Sequence, residues 1–413
     1  MIELHFLGGA NEVGREAILV DTGVEKFLLD YGVNVQTSEA PIRPNVNLDA
    51  AFLTHAHLDH SGFFPELYKR GYTKNIYATP VTFNLTAILL RDFVKVQKRN
   101  NAMLEYLIED IKRMEECKYY LGPGQREEFA ISSVEFFHAG HIPGSVSIMI
   151  SNSRNLLYTG DIKFIDTKLM RGASIKNNID VLISESTYSY TNHPNRAELE
   201  KRLKEIVRDT VENGGIALIP AFAVGRTQEI LLILSELDIP VYIDGMGIRA
   251  TENILMYPDT IKNANKLKKA FSKAHKIKKQ REREMVLSEQ AAIITTAGML
   301  NGGPVIYYLE NLYQREECSL ILTGFQVPGT AGRTLLDTGI FKANGVEIKP
   351  KMRIEFLDFS AHTDHDHLLD FYNTLNPEKI ILVHGDHTEE FCVELKEKGF
   401  DAVAPRNGEV LRI

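Results

Sequence analysis

Residues 53–62 read LTHAHLDHSG and place three of the thirteen histidines and one aspartate within six positions. The run that precedes them is apolar and β-compatible, so the cluster lies where a buried strand should end. His55 and His57 would share one face of that extended segment. Asp59 and His60 are expected in a turn, because the Ser-Gly pair that follows breaks the strand pattern. Imidazoles and carboxylates that converge at a strand end are the ligands that a divalent metal such as zinc prefers.

The bulk composition is that of an ordinary globular protein. The 413 residues suffice for two domains, and the apolar and charged fractions are 44% and 25%. The sequence lacks an apolar run long enough to cross a membrane and a signal peptide, so a cytoplasmic location is the default expectation. The three cysteines are far apart, which excludes a disulfide framework and a cysteine zinc site. The net charge of −8 argues against indiscriminate coating of nucleic acid.

The pattern along the chain changes twice. Residues 1–190 are rich in short strands, apart from a helical pattern over about residues 81–116, and polar residues stand at most strand ends. Residues 191–350 alternate strand and helix, which predicts βαβ units around a mainly parallel sheet. Residues 351–413 return to the earlier style. The simplest account is one β-rich domain, 1–190 and 351–413, interrupted by an inserted α/β domain, 191–350.

Four further runs share the design of the opening cluster, in which apolar residues lead to an acid–base or metal-binding side chain. The runs are FLLDYG with Asp30, VEFFHAGH with His141, LLYTGD with Asp161 and IILVHGD with His384. Any one of these residues could be a cap or a satisfied core residue. Their recurrence at several strand ends predicts a shared site.

The ligand count fits two metal ions. One set contains three imidazoles: His55, His57 and His141. The second set contains one carboxylate and two imidazoles: Asp59, His60 and His384. Asp161 is left as a carboxylate that could bridge both sets, while Asp30 fits better behind a ligand imidazole. Two ions about 3.5–4 Å apart would activate water and clamp both oxygens of an in-line displacement.

These runs resemble a known family. HAHLDH, with LLDYG before it and AGHIPGS and YTGD after it, is similar to the metallo-β-lactamase fold of binuclear zinc hydrolases. LISESTY with Glu185, TTAGMLNGGP, FSAHTD with His362 and LVHGD with His384 resemble the β-CASP nucleases, in particular the endonuclease subunit of the cleavage and polyadenylation specificity factor and its archaeal relatives. The resemblance implies an α/β fold: a metallo-β-lactamase αββα sandwich interrupted by an inserted β-CASP domain.

The resemblance also implies an activity, that of a zinc-dependent ribonuclease acting on single-stranded RNA internally, from the 5′ end, or both. It implies two Zn²⁺ per chain and assigns catalytic roles to three residues: Asp59, Glu185 and His362. His362 would lie near the scissile phosphate as proton donor, with Glu185 holding its ring. RNA is favoured over DNA because His384 stands where DNA-directed relatives tend to have valine.

Other interpretations stay open from the sequence. A DNA-directed β-CASP nuclease is one, and a small-molecule zinc hydrolase of the lactonase or glyoxalase type is another, although the latter gives no reason for the inserted domain. An inactive scaffold subunit would be expected to have lost ligands, and all seven are present. No membrane partner is expected, and the oligomeric state is not readable, which leaves a homodimer open.

The likeness is to a short archaeal form. Many archaeal relatives carry KH RNA-binding domains ahead of the nuclease core, whereas this sequence begins directly at MIELHFLGGANEVGR. It also leaves no room after LVHGD for the C-terminal assembly domain of the eukaryotic subunit. We therefore expect RNA binding to depend on the nuclease core alone.

Two stretches are candidates for RNA phosphate contacts. Arg333 follows the glycine-containing run GFQVPGTAG, where backbone N–H groups could approach a phosphate, although the glycines could equally make tight turns. Residues 262–283 contain ten basic residues and one acidic residue. This stretch is either a solvated helix face or an edge of the RNA path. Its candidate contacts are Lys268, Lys269, Lys278 and Lys279.

Overall fold

The computed structural model describes residues 1–343 and 345–413. These residues form two compact units, of which the first contains residues 1–166, 171–192 and 362–413 and the second contains residues 167–170 and 193–361. The predicted domain boundaries stood at 190/191 and 350/351. The C-terminal difference arises because the strand at 353–356 pairs with a strand of the second unit. The division into functional domains stays a prediction.

The strands are numbered in chain order. The first eleven are β1 (Glu3–Gly8), β2 (Ala17–Asp21), β3 (Lys26–Leu29), β4 (Ala50–Phe52), β5 (Ile76–Ala78), β6 (Lys118–Tyr120), β7 (Arg126–Glu128), β8 (Ser133–His138), β9 (Val146–Ser151), β10 (Asn155–Tyr158) and β11 (Val181–Glu185). The others are β12 (Ile216–Pro220), β13 (Val241–Asp244), β14 (His275–Ile277), β15 (Ala291–Thr295), β16 (Ser319–Leu322), β17 (Phe341–Ala343), β18 (Val346–Ile348), β19 (Arg353–Phe356), β20 (Lys379–Val383), β21 (Ala402–Val403) and β22 (Val410–Arg412).

The helices are numbered in the same way. They are α1 (Leu58–Ser61), α2 (Phe64–Lys69), α3 (Pro80–Arg99), α4 (Ile108–Glu116), α5 (Arg196–Glu212), α6 (Arg226–Leu234), α7 (Gly247–Ile254), α8 (Ala264–Lys273), α9 (Gln280–Val286), α10 (Pro304–Leu312), α11 (Ala331–Thr338), α12 (His365–Leu375) and α13 (Thr388–Glu397), with a 3₁₀ turn at Pro258–Thr260. Within the described residues, none of them is both long and apolar enough to cross a membrane.

The first unit is a sandwich of two seven-stranded sheets. The strand orders are β22-β1-β2-β3-β4-β5-β6 and β21-β20-β11-β10-β9-β8-β7. Alternation along β2 shows how the layers form, because Ile18 and Val20 join the core between the sheets while Leu19 joins the core beneath α2, α3 and α4. The second sheet packs its outer face on α12 and α13. Four layers result, and this αββα arrangement confirms the predicted sandwich.

The second unit is built around a six-stranded sheet of order β14-β13-β15-β12-β16-β19, in which every neighbouring pair is parallel. β12 and β15 are buried along their whole length, as continuous apolar runs in parallel sheets are. β17 and β18 form a separate antiparallel hairpin. The predicted parallel α/β unit is confirmed.

Two predicted helical stretches differ in detail from the structure. The pattern over residues 81–116 is two helices, α3 and α4, because Asn101 adopts a left-handed φ of 53° just beyond the end of α3. The basic stretch 262–283 is not one helix either. It consists of α8, the strand β14 and α9.

Candidate active site

The predicted ligands follow strand ends of both sheets in the first unit. His55 and His57 come after β4, His141 after β8, Asp161 after β10 and His384 directly after β20, while Glu185 is the last residue of β11. Gly160, at φ 52°, allows the turn into Asp161, since a Cβ there would lie 2.8 Å from the side chain of Thr54. The sandwich therefore gathers, along one edge, residues that are more than 300 positions apart in sequence.

Asp59 and His60 lie, as predicted, in a turn rather than in the strand, and that turn is helical. They belong to α1, which begins immediately after His57. The backbone holds α1 close to the sheet, because Gly32 lies where any Cβ would be 1.6 Å from the carbonyl oxygen of Asp59. Sequence patterns are weak guides to a helix of four residues, since one turn carries no amphipathic repeat.

The three-imidazole set converges on one point. His57 Nδ1 lies 3.1 Å from His55 Nε2 and 3.1 Å from His141 Nε2. Asp161 Oδ2 lies 3.4 Å from the same nitrogens of His55 and His141. Four ligands at about 2.0–2.1 Å around a tetrahedral zinc ion would be about 3.3–3.4 Å from one another. The donor atoms therefore fit a single ion.

Two imidazoles of the second set lie close to the other oxygen of Asp161, whereas Asp59 groups with His55 and His60. Oδ1 lies 3.1 Å from His60 Nε2 and 2.9 Å from His384 Nδ1. Asp59 Oδ2 lies 3.7 Å from His384 Nε2. His60 Nε2, Asp161 Oδ1 and His384 Nε2 are all buried without a hydrogen-bond partner among the described residues. Buried polar atoms left in this way are costly unless a ligand satisfies them, which fits a bound cation.

The charge state of the first ligand set also suits a metal, whereas Asp161 and the other neighbouring carboxylates raise the pKa of His60 and of His384. Burial lowers the pKa of His55 and of His57, so both rings stay neutral and keep a lone pair for coordination. Burial alone would raise the pKa of Asp161, but the neighbouring imidazoles, His60 and His384 foremost, hold it well below its usual range. The His and Asp clusters are thus compatible with a metal.

Asp30 supports the ligands from behind. Its Oδ2 lies 2.7 Å from His60 Nδ1 and accepts hydrogen bonds from the hydroxyls of Thr54 at 2.8 Å and Tyr158 at 2.9 Å. This contact leaves the other ring nitrogen of His60 directed to Asp161, as expected for a carboxylate that orients a metal ligand. Asp30 and His384 both have left-handed φ angles, 56° and 49°, a conformation that is uncommon for non-glycine residues.

Glu185 and His362 form a second functional pair beside the metal cluster. His362 Nδ1 lies 2.9 Å from Glu185 Oε2 and 3.8 Å from Asp161 Oδ2. Burial opposes protonation of His362, yet Glu185 and Asp161 outweigh it and raise the pKa of the ring. Glu185 is fixed in turn, because its Oε1 accepts a hydrogen bond of 2.6 Å from the Ile162 backbone and its Oε2 one of 2.6 Å from Thr187 Oγ1.

Sequence reasoning missed several side chains around this pair and around the candidate ligands. Thr187 is in the quoted run LISESTY, but no spacing rule shows that its hydroxyl reaches back to Glu185. The Lys163 ammonium donates to the His362 carbonyl at 2.6 Å. Glu16 is fully buried, and burial raises the pKa of its carboxyl to about 8. In the sequence, Glu16 follows a glycine-rich turn and looks like an exposed loop residue.

The candidate RNA contacts lie in the second unit. Lys268, Lys269, Lys278 and Lys279 are all exposed. Arg333 lies in the first turn of α11, where its Nε forms an ion pair of 2.9 Å with Asp337, one helical turn away. A phosphate at Arg333 would therefore have to compete with a carboxylate already in place.

Three family models match this chain. They are the Beta-Casp domain over residues 227–335, the Zn-dependent metallo-hydrolase RNA specificity domain over residues 347–405, and the Anti-Pycsar protein Apyc1 over residues 4–211. A crystal structure of a protein of unknown function from Enterococcus faecalis V583 superposes with a TM-score of 0.62 at 16% identity, covering 99% of both chains. That likeness shows a shared fold.

Curated proteins provide closer sequence relatives. The chain is 38% identical over 428 residues to the "Probable RNase MJ4" of Methanocaldococcus jannaschii, with both chains covered completely. It is 34% identical to "RNase aCSPSF2" of Saccharolobus solfataricus, covering 99% of this chain and 85% of that protein. It is also 34% identical to "Transcription termination factor FttA" of Pyrococcus horikoshii, covering 100% and 71%. The chain therefore belongs to the β-CASP family of metal-dependent, metallo-β-lactamase-fold ribonucleases.

Proposed function

We propose that this chain hydrolyses phosphodiester bonds of single-stranded RNA at a centre that holds two zinc ions. The observation that carries the proposal is the position of Asp161, whose two oxygens face different ligand sets. Oδ2 lies 3.4 Å from two imidazoles of the first set, and Oδ1 lies 3.1 and 2.9 Å from His60 and His384 of the second. A carboxylate shared in this way supports two neighbouring ions rather than one.

The metal would supply a water made nucleophilic at neutral pH and positive charge for the phosphate oxygens. The remaining work falls to the residues of the chain. His362 holds a proton close to the metal cluster, and Glu185 keeps its Nδ1 engaged so that Nε2 is the nitrogen available to a leaving oxygen. Asp59, 3.7 Å from His384, contributes negative charge where the second ion would bind. The names of the archaeal relatives support RNA as substrate.

Substrate class is tested by matched oligomers. We expect single-stranded RNA to be cleaved and DNA of the same sequence to be cleaved at least about 10-fold more slowly, because a site that binds a 2′-hydroxyl leaves its partners unpaired without it. RNA and DNA are compared under identical zinc and salt. Each strand is labelled at its 5′ or its 3′ end, and the two labels together distinguish internal cleavage from digestion at the 5′ end. Addition of a chelator should stop the reaction.

Equal or faster cutting of the DNA would overturn the assignment to RNA and favour the DNA-directed alternative. Failure to cut either strand, with turnover of a lactone or thioester, would instead favour a small-molecule hydrolase. Cleavage inside the strand, from its 5′ end, or both stays a prediction. The formation of a homodimer stays one as well.

The exposed lysines of the second unit provide a test of the RNA path. Replacement of Lys268, Lys269, Lys278 and Lys279 with glutamine should raise the KM for RNA with little change in kcat. It should also flatten the dependence of log KM on log salt by up to about 0.7 for each phosphate contact that is lost. The measurement is steady-state cleavage at several salt concentrations.

A charge-matched control is available on the first unit. Lys98, Lys112, Lys396 and Lys398 are also exposed, so their replacement by glutamine changes net charge equally. If the slope of log KM against log salt is the same in both quadruple variants, the basic stretch is only a solvated surface.

A further inference from the structure

A row of four rings leads away from His362 within the first unit. Tyr188 lies with its ring centroid 6.2 Å from that of His362, and Tyr190 lies 6.2 Å from Tyr188 with the two ring planes only 11° apart. His387 follows at 4.6 Å from Tyr190. We call these four residues the ring row. It begins at the proposed proton donor and ends at solvent.

Exposure divides the ring row. Tyr188 is 4% exposed, whereas Tyr190 is 50% exposed although it is a large aromatic residue. His387 is exposed as well. An exposed aromatic residue of this kind offers apolar area that a flat ligand could cover.

The loop that carries Tyr190 is held in place by hydrogen bonds. Within the loop, Thr191 N–H donates to the Tyr188 carbonyl at 3.3 Å. From the start of α12, His365 N–H donates to the Thr191 carbonyl at 3.2 Å, and Asp366 N–H donates to Asn192 Oδ1 at 3.0 Å. Fixed aromatic rings bind at a lower entropic cost than mobile ones.

The charges around the outer end of the ring row do not favour a phosphate contact there, although Glu389 pairs with Arg406 and Asp366 with His365. Asp386 and Glu389 flank His387 in sequence, and both are exposed. Asp366, at the start of α12, is exposed too. Carboxylates repel the RNA backbone, so the outer rings offer stacking surface rather than positive charge.

We propose that Tyr190, backed by His387, stacks against a nucleobase of the RNA strand whose phosphate is cleaved beside His362. The inference rests on the proposed function and names a binding residue for it. A ring face accepts any base, so the contact would add affinity and fix the position of the strand without reading sequence. Tyr188 lies between Tyr190 and His362, so it connects this base site to the proposed proton donor.

The test compares KM and kcat for an RNA oligomer and for copies in which one nucleotide at a time is abasic. Tyr190→Ala should raise KM about 5- to 150-fold, the range for loss of one stacked base, with a smaller effect on kcat. Tyr190→Phe keeps the ring and should restore KM. Tyr120→Ala is the control, because Tyr120 is 57% exposed on β6, which carries no residue of the active site.

One abasic position identifies the stacked base. With the oligomer that is abasic at this position, the native protein should show the KM that Tyr190→Ala shows with the intact oligomer. The KM of Tyr190→Ala should not rise further with the abasic oligomer, because both changes remove the same contact. An unchanged KM in Tyr190→Ala, or additive losses at every position, would overturn the proposal and leave Tyr190 as a loop residue only.

Failure of the nuclease activity itself is distinguishable. If the native protein cuts no RNA, the same oligomers are tested for equilibrium binding by fluorescence anisotropy. Binding that depends on Tyr190 and on one base would keep the stacking site and reject cleavage, whereas binding independent of both would reject both proposals.

Discussion

Replacement of Asp161 by alanine is expected to reduce RNA cleavage by about 10³-fold or more and to release metal, because one carboxylate serves both ligand sets. Its oxygens lie between 2.9 and 3.4 Å from four imidazoles. Without it, each set loses a negatively charged donor, and the surrounding imidazoles lose the charge that balances a cation. The effect on metal binding should therefore accompany the effect on catalysis.

Elemental analysis of protein purified without chelator measures this directly. The native chain should contain about two zinc ions, the number that a shared carboxylate supports, and Asp161→Ala should contain less than one. Asp401→Ala is the control, because Asp401 is an exposed aspartate of the same unit that pairs with Lys379. An Asp161→Ala protein that keeps both zinc ions and full activity would contradict the bridging role. If zinc and activity are lost, an unchanged circular dichroism spectrum excludes unfolding as the cause.

Replacement of His362 by alanine is expected to lower kcat by about 10²–10⁴-fold, the usual contribution of a general acid, while zinc stays bound. The ring is held by Glu185 at 2.9 Å and approaches Asp161 only to 3.8 Å, so its removal leaves both ligand sets intact. Glu185→Gln keeps the shape of the partner but removes its charge, and should lower kcat by a smaller factor.

The measurement pairs kcat with zinc content for each variant. His365→Ala is a matched control, since His365 lies three residues away on α12 and contacts Glu394 rather than the metal cluster. The rival assignment is that His362 is itself a metal ligand, because its ring lies in one group with Asp161, Glu185 and His384. Loss of zinc from His362→Ala would support that assignment.

Strand ends explain how much of the site could be predicted from sequence. A buried strand is a run of apolar residues, so the polar residue that ends it is conspicuous, as at Asp161 after β10 and His384 after β20. Parallel and antiparallel pairing then brings such ends to one edge of the sandwich. The candidate ligands and the alternation of a β-rich part with an α/β insert could therefore be predicted from the order of apolar and polar residues, whereas the αββα sandwich was implied by the family resemblance.

The remainder of the site depends on distance in space, which residue type does not encode. Glu16 is buried beside the ligands although its neighbours in sequence indicate a surface turn. Thr187 and Tyr190 share one short loop, yet Thr187 points to Glu185 and Tyr190 is half exposed. Hydrogen bonds from α12, more than 170 positions away, decide that arrangement.

The order of the strands has a consequence for the cell that makes this protein. The sheet that contains β1 is completed by β22, which pairs Glu3 with Arg412. Ribosomes synthesise a chain from its N-terminus, so His362 and His384 are likewise translated long after His55, His57 and His141. An unfinished polypeptide therefore lacks both the proposed proton donor and one imidazole of the proposed second ligand set. We therefore expect a nascent chain to cleave no RNA until synthesis is nearly complete.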